Sequence, residues 1–155
     1  MRTDHRIVVG VDGTEGGRRA LKWAIREAQA RGATVQAVLA WTWDGIDLPP
    51  QVTTHPDQER ARAELILAAE IGALPDLHGV SVATEAVEGR AADVLCLAAR
   101  DAELLVLGSH GHSRVRHTVL GSVAEECVRK ASCPVVVLPV PQPGGRPLAE
   151  PAVPA

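Results

Sequence analysis

Glycine, serine, histidine and arginine are concentrated in one short segment, GSHGHSRVRHTVLGS, which runs from Gly108 to Ser122. Gly108 and Gly111 allow the backbone to turn tightly and to present consecutive N–H groups. Gly121 and Ser122 stand immediately before a predicted helix. A helix N-terminus attracts anions, because its first N–H groups are unpaired and the helix dipole is positive there. The segment therefore predicts a phosphate site, to which its arginine side chains would add positive charge.

Two other interpretations of this segment stay open at the level of the sequence. His110, His112 and His117 are potential metal ligands, but they have no acidic or cysteine partner at a spacing that zinc sites use. Ordinary loop side chains explain them better, so we predict no metal site formed by the protein itself. Ser122 and Glu125 fit a capping box, which stabilises a helix start without any ligand.

A second glycine-rich segment, GVDGTEGG, follows the first predicted strand. Its glycines are spaced as GxxGxxG, which matches neither the GxGxxG pattern of dinucleotide-binding proteins nor the GxxxxGKS/T pattern of P-loop proteins. A dinucleotide dehydrogenase and a P-loop nucleoside triphosphatase are both disfavoured. An open α/β sheet binds ligands beyond the carboxyl ends of its strands, where the strand order reverses, and both glycine-rich segments are candidates for that place.

The apolar pattern of the chain predicts a strict alternation of strands and helices. The first helix would lie between an N-cap at Thr14 and a stop at Gly32, with a buried stripe that includes Leu21 and Ile25. Apolar strands in such an alternation predict an α/β fold with a mainly parallel sheet and helices on both faces. The predicted strands cover residues 7–11, 34–41, 80–87, 104–107 and 135–138, and the later helices cover residues 56–71, 91–99 and 123–131.

Small and apolar residues form the predicted buried stripes of the last two helices. These stripes are Ala91, Ala92, Leu95, Cys96 and Ala99 in one helix, and Val123, Ala124, Cys127, Val128 and Ala131 in the other.

Composition limits the classes of function. With 155 residues, 46% of them hydrophobic, the chain is the size of one domain with one sizeable core. The net charge of −3 is spread along the chain, so neither nucleic acid nor a membrane is expected as a partner. Cys96, Cys127 and Cys133 lack CxxC spacing and indicate reduced core thiols. No apolar run approaches the roughly 20 residues of a membrane span, and we expect a soluble, cytoplasmic protein.

Two segments fall outside the alternation. Residues 43–57 form a long predicted loop, and residues 141–155 are dominated by Pro, Gly and Ala, which is typical of a disordered tail.

The opening segment also carries a family resemblance. Gly108 and Gly111, followed after nine residues by Gly121 and Ser122, form the G-x2-G-x9-G-S/T pattern of ATP-binding universal stress proteins. RIVVGVDGTEGGRRALKWA resembles that family's opening strand, loop and first helix, LLVLGSHGHS its fourth strand, and GSVAEECVRKASCPVVVLP its closing helix and strand. The resemblance covers about residues 6–140. It implies a single Rossmann-like domain over residues 1–140, with five strands in the order 3-2-1-4-5.

The resemblance also implies a set of nucleotide-binding residues. Asp12 matches an acidic residue that contacts the adenosine portion, and Ala40 matches a backbone contact to adenine. Gly121 would help to hold the phosphates, whereas His110 and His112 occupy variable spacer positions and receive no family role. The implied binding residues are Gly10, Val11, Asp12, Ala40, Gly108, Ser109, His110, Gly111, His112, Ser113, Arg114, Gly121, Ser122 and Val123.

Three further expectations concern the ligand and the assembly. The resemblance implies a regulatory or stress-response protein that binds ATP with Mg2+ and hydrolyses it slowly or not at all. The alternatives are a weak ATP hydrolase that uses Asp12 or His110, a module for AMP or cyclic AMP, and a structural dimer with an empty pocket. Trp41 and Trp43 could stack on a purine, although packing explains them better. The apolar strand Val135–Leu138 at the sheet edge predicts a homodimer.

Overall fold

Residues 4–43, 55–111 and 120–139 are described by a computed structural model of the chain. The strands are β1 (Asp4–Gly10), β2 (Thr34–Trp41), β3 (Val82–Glu88), β4 (Ala102–Gly108) and β5 (Val135–Leu138). The helices are α1 (Glu15–Arg31), α2 (Pro56–Gly72), α3 (Ala91–Ala98) and α4 (Ser122–Lys130). The strands form one sheet in the order β3-β2-β1-β4-β5, and every neighbouring pair is parallel. The predicted Rossmann-like α/β fold and its strand order are confirmed.

Side chains of the central strands alternate between two hydrophobic clusters. Ile7 and Val9 of β1 pack with α1 and α2, whereas Val8 packs with α3 and α4. In β4, Val106 belongs to the first cluster and Leu105 to the second. Because successive side chains of a strand point to opposite faces, the helices cover both faces of the sheet, as expected.

The ends of α1 are confirmed in detail. Thr14 is the N-cap, and its side-chain oxygen accepts a hydrogen bond from the Gly17 N–H at 3.3 Å. Gly32 closes the helix in the left-handed conformation, with φ of 66°, which a glycine adopts without steric cost. The predicted stripe, which includes Leu21 and Ile25, is buried against the sheet. The first turn of α1 begins directly after the loop that follows β1.

The predicted stripe of α4 is partly wrong. Ala124 and Cys127 are buried, but 37% of Val123 and 50% of Val128 is exposed. Among the described elements, α4 packs mainly on α3 and on the edge strand β5, so a narrow side of the helix faces them. On α3, likewise, Ala91 and Cys96 of the predicted stripe are half-buried, and Val94 is buried with Ala92, Leu95 and Ala99.

The predicted third strand begins too early along the chain. Val80 donates its N–H to the Leu77 carbonyl at 2.9 Å, so it belongs to a turn, and β3 starts at Val82. Val80 is nevertheless buried, which explains its place in the apolar pattern.

Cys96, Cys127 and Cys133 are free thiols that pack in the cluster beneath α3 and α4. Cys127 is fully buried and the other two are half-buried. Burial raises the pKa of the Cys127 thiol to about 12, and the neighbouring Cys96 thiol adds to the shift. Cys127 is therefore a protonated packing residue at neutral pH.

This shift predicts an alkaline loss of stability. Below pH 9.0, the ordinary pKa of a thiol, Cys127 is protonated in both the folded and the unfolded state. Above it the unfolded state releases the proton first, so the free energy of unfolding falls by up to about 1.4 kcal/mol per pH unit until about pH 12. Urea denaturation in a reducing buffer at about pH 8 and about pH 10 measures the loss. Cys127→Ala should lose less stability over this interval, and an equal loss in both proteins would contradict the assignment.

None of the helices in the described ranges is long and apolar enough to cross a membrane. The predicted tail at 141–155 and residues 44–54 of the predicted loop at 43–57 lie outside the described residues, whereas Pro56 and Asp57 belong to α2 and not to a loop.

Candidate functional site

A cavity of about 480 Å³ opens at the carboxyl ends of β1, β2 and β4. It includes the point between β1 and β4 where the strand order reverses, which is the usual ligand position in an open α/β sheet. Its volume lies within the range of small-molecule sites, roughly 300 to 1,000 Å³. The sequence-predicted residues that line it are Gly10, Val11, Asp12, Ala40, Gly108, Ser109, His110, Gly111, Gly121, Ser122 and Val123. The other three, His112, Ser113 and Arg114, lie outside the described residues.

Asp12 is held between the two glycine-rich segments. Its Oδ1 atom accepts hydrogen bonds from the backbone N–H and the hydroxyl of Thr14, and the former measures 3.0 Å. A Cβ atom on Gly17 would lie 2.7 Å from Oδ1, and one on Gly111 would lie 3.0 Å from Oδ2. Because glycine is present at both positions, the carboxylate can lie between the loops and face the cavity.

Gly108 brings the end of β4 against the start of α1. A Cβ atom on Gly108 would lie 3.0 Å from both the carbonyl carbon and the carbonyl oxygen of Gly16. These neighbours are backbone atoms, which cannot move aside as the end of a flexible side chain can. Glycine at this position therefore allows the close contact between the end of β4 and the start of α1, in addition to any contact with a ligand.

We expect Gly108→Ala to lower the free energy of unfolding by about 1–3 kcal/mol, the usual cost of overpacking. Gly72→Ala is the matched control, because a Cβ atom there would meet nothing within 4 Å. Alanine near the end of α2 should be neutral or stabilise the protein by up to about 1 kcal/mol. Urea denaturation of both variants compares them, and equal stabilities would argue against a close backbone contact at Gly108.

The N-terminus of α4 lies at the wall of the cavity. Gly121 is the N-cap in an extended conformation, and its N–H donates to the Ser109 carbonyl at 2.6 Å. Ser122 is already the first residue of the helix, so its hydroxyl is one position beyond the cap and forms no capping hydrogen bond. The predicted capping box of Ser122 and Glu125 is therefore wrong. Within the described residues, no side chain caps the first amides of α4.

Ser109 and His110 form a polar pair at the same wall. Ser109 is buried, and its backbone N–H donates to the Leu138 carbonyl at 2.8 Å. The Ser109 Oγ and His110 Nδ1 atoms are 2.9 Å apart, which is hydrogen-bonding distance. The hydroxyl thus orients the imidazole of His110, a residue for which the family resemblance implied no specific role.

One wall of the cavity comes from α2, which the sequence analysis did not assign to the site. Glu59, Arg62, Ala63 and Ile66 line the cavity from this helix. They recur at the i, i+3, i+4 and i+7 spacing of one helical face, which is the signal that could have identified them together. We call these four residues the α2 wall.

The two tryptophans after β2 differ in their surroundings. Trp41 is 7% exposed and packs in the core, as expected, and it also lines the cavity. The Arg60 guanidinium lies 5.7 Å from the centroid of its ring. Trp43 is 40% exposed and does not line the cavity.

In residues 4–43, 55–111 and 120–139, no group of three or more His, Cys, Asp or Glu side chains is arranged to hold a metal ion. Of the three loop histidines, His112 and His117 lie outside these ranges.

Comparison with known proteins decides the family. The family model of universal stress proteins matches residues 4–139. The chain belongs to the universal stress protein family. One similar relative is a universal stress protein of Mycobacterium tuberculosis, which is 34% identical over 138 residues, or 85% of this chain and 47% of the relative. The chain thus spans about half the length of the curated universal stress proteins that it matches.

Solved structures of universal stress proteins show the same fold. One, in complex with cAMP, has a TM-score of 0.68 and 23% sequence identity, and the match covers 86% of this chain and 95% of that one. Another, from Archaeoglobus fulgidus in complex with dAMP, has a TM-score of 0.53 and 25% identity, with coverage of 88% and 98%.

Proposed function

We propose that this universal stress protein binds ATP, together with Mg2+, and acts as a cytoplasmic regulatory or stress-response protein. The observation that carries the proposal is the N-terminus of α4, which opens onto a cavity of about 480 Å³ without a capping side chain from the described residues. Its first amides and the positive end of the helix dipole provide a phosphate site. Gly111 and Gly121 keep the loop close to these amides, since a Cβ atom on Gly111 would lie 3.0 Å from the Asp12 Oδ2 atom and one on Gly121 would lie 3.0 Å from the Ser109 carbonyl oxygen.

The residues around the cavity suggest one orientation for the nucleotide. With the phosphates at the start of α4, the nucleoside extends along the cavity toward the end of β2, where Ala40 and Trp41 line the wall. Asp12 lies between these two ends and is oriented by Thr14, so its carboxylate can accept hydrogen bonds from ribose hydroxyl groups. The three contact regions match the phosphate, sugar and base of one nucleotide.

Binding without efficient hydrolysis fits the chemistry of these groups. Backbone amides and a helix dipole stabilise phosphate in the ground state, and they do not activate a water molecule. The second candidate is slow hydrolysis, in which the His110 imidazole, oriented by Ser109, or the Asp12 carboxylate would position water. ATP turnover that survives replacement of both His110 and Asp12 would exclude this candidate.

The related structures support an adenine nucleotide as the ligand class. Universal stress proteins have been solved with cAMP and with dAMP, so AMP and cyclic AMP are the alternatives to ATP for this cavity. We propose ATP because the cavity continues to the phosphate site at α4.

We further propose that the protein is a homodimer that pairs through β5. This strand lies at the edge of the sheet, and its apolar residues, three valines and Leu138, are all half-buried in the single chain. An apolar edge strand is stabilised when another strand covers it.

The test begins with the freshly purified protein. We expect mass spectrometry of a denatured extract to recover an adenine nucleotide near one molecule per chain, and calorimetry to detect rebinding of ATP with Mg2+ to the stripped protein. Competition between ATP, AMP and cyclic AMP on the same sample then ranks the ligands. An empty protein that also fails to bind ATP would contradict the proposal. It would instead indicate a protein that acts by binding partners at its surface.

A further inference from the structure

The α2 wall brings two charged side chains to the cavity. Glu59 is half-buried and Arg62 is exposed, and both line the cavity. Neither side chain forms an ion pair or a hydrogen bond with another residue in the described part of the chain. A partly desolvated carboxylate without a partner is costly, and the cost falls when a ligand supplies a hydrogen-bond donor.

The position of Glu59 along the cavity follows from the contacts of α2. Ile66 is next to the loop after β1, since a Cβ atom on Gly13 would lie 3.4 Å from its Cγ2 atom. Glu59 precedes Ile66 by seven residues, or about 10 Å along the helix axis. Its neighbour Arg60 contacts the Trp41 ring at the end of β2. Glu59 therefore lies at the β2 end of the cavity.

Asp12 does not occupy that end. Its carboxylate is held at the loops, with Oδ1 beside Gly17 and Oδ2 beside Gly111. The cavity thus presents two carboxylates at two positions, one near the loops and one near the end of β2.

We infer that Glu59 recognises the base of the bound nucleotide by accepting a hydrogen bond from an exocyclic amine. The inference rests on the proposed function, because phosphates at α4 place the base at the β2 end. A base with a carbonyl group at the same position would bring two acceptors together and leave the carboxylate unsatisfied. A site built around one hydrogen bond rejects an analogue that cannot form it.

ATP and inosine triphosphate test this inference, because the purine of ATP carries an exocyclic amine, whereas that of inosine triphosphate carries a carbonyl group there and a proton on the adjacent N1 atom. We expect the wild-type protein to bind ATP at least about tenfold more tightly than inosine triphosphate. In Glu59→Gln this preference should be lost and the two affinities should become similar, because an amide can accept from the amine or donate to the carbonyl. Calorimetric titration of each nucleotide gives the four affinities.

Glu64→Gln is the matched control, since Glu64 is exposed on the same helix and does not line the cavity. It should keep the wild-type ratio of the two affinities. A wild-type ratio in Glu59→Gln, with ATP still bound tightly, would overturn the inference and leave the proposed function intact. A wild-type protein that binds neither nucleotide would overturn the proposed function and the inference with it.

Discussion

Ser122→Asp should reduce the affinity for ATP about 100-fold, which corresponds to about 2.8 kcal/mol, and the protein should remain folded. Ser122 is the first residue of α4, and its side chain is exposed beside the cavity. A carboxylate at this position would repel the phosphates that we place at the helix N-terminus. The same carboxylate is favourable for the helix itself, by about 0.3–1 kcal/mol, because it interacts with the positive end of the dipole.

The opposite effects on binding and on stability make this variant informative. Ser122→Asn is the control of similar size without the charge, and it should lose much less affinity. Gly121 is a poorer position for the test, because a Cβ atom there would lie 3.0 Å from the Ser109 carbonyl oxygen and would disturb the loop. Calorimetry measures the affinity and thermal denaturation the stability. Unchanged ATP affinity in folded Ser122→Asp would remove the phosphate assignment.

Leu105→Ala should lower the free energy of unfolding by about 3 kcal/mol, the largest stability effect that we expect. Leu105 is 0% exposed and lies in β4, where its register partners are Val8 of β1 and Val135 of β5. Its side chain fills the cluster between the sheet and the helices α3 and α4. Removing it loses the transfer free energy of three carbon atoms and leaves a cavity, for a total of roughly 2–5 kcal/mol.

Leu97→Ala is the control for the same substitution on the surface. Leu97 belongs to α3 but is 65% exposed, so its loss should change the stability by less than about 0.5 kcal/mol. Urea denaturation of the two variants gives the difference, when the free energy of unfolding falls with urea concentration at the same slope in both. Similar losses in both variants would contradict the packing of Leu105 in the core.

Local signals in the sequence predicted most of the secondary structure. Thr14 and Gly32 bounded α1 correctly, because a side-chain acceptor and a left-handed glycine act on the backbone within three or four residues. β2 and β5 were predicted with the bounds that the structure has, since short, mainly apolar runs rich in valine indicate strands. The strand order, in contrast, came from the family resemblance, and the sheet confirms it.

The predicted site is distributed along the chain, and the fold brings its described members to one cavity. The loops after β1 and β4 could be identified from glycine spacing, because tight turns have a local sequence signature. The α2 wall had no such signature, since residues such as Glu59 and Arg62 are typical of any exposed helical face. Which face of α2 meets the cavity depends on how the helix packs on β2 and β3.

The sequence by itself determined the alternation of strands and helices, the caps of α1 and the two glycine-rich loops, because these depend on interactions between residues that are close along the chain. Only the tertiary structure decided that Val123 and Val128 are exposed, that Gly121 and not Ser122 is the N-cap of α4, and that Glu59 lines the cavity. Burial and the orientation of a helix are set by contacts between elements distant in sequence, and these contacts form only when the sheet has assembled.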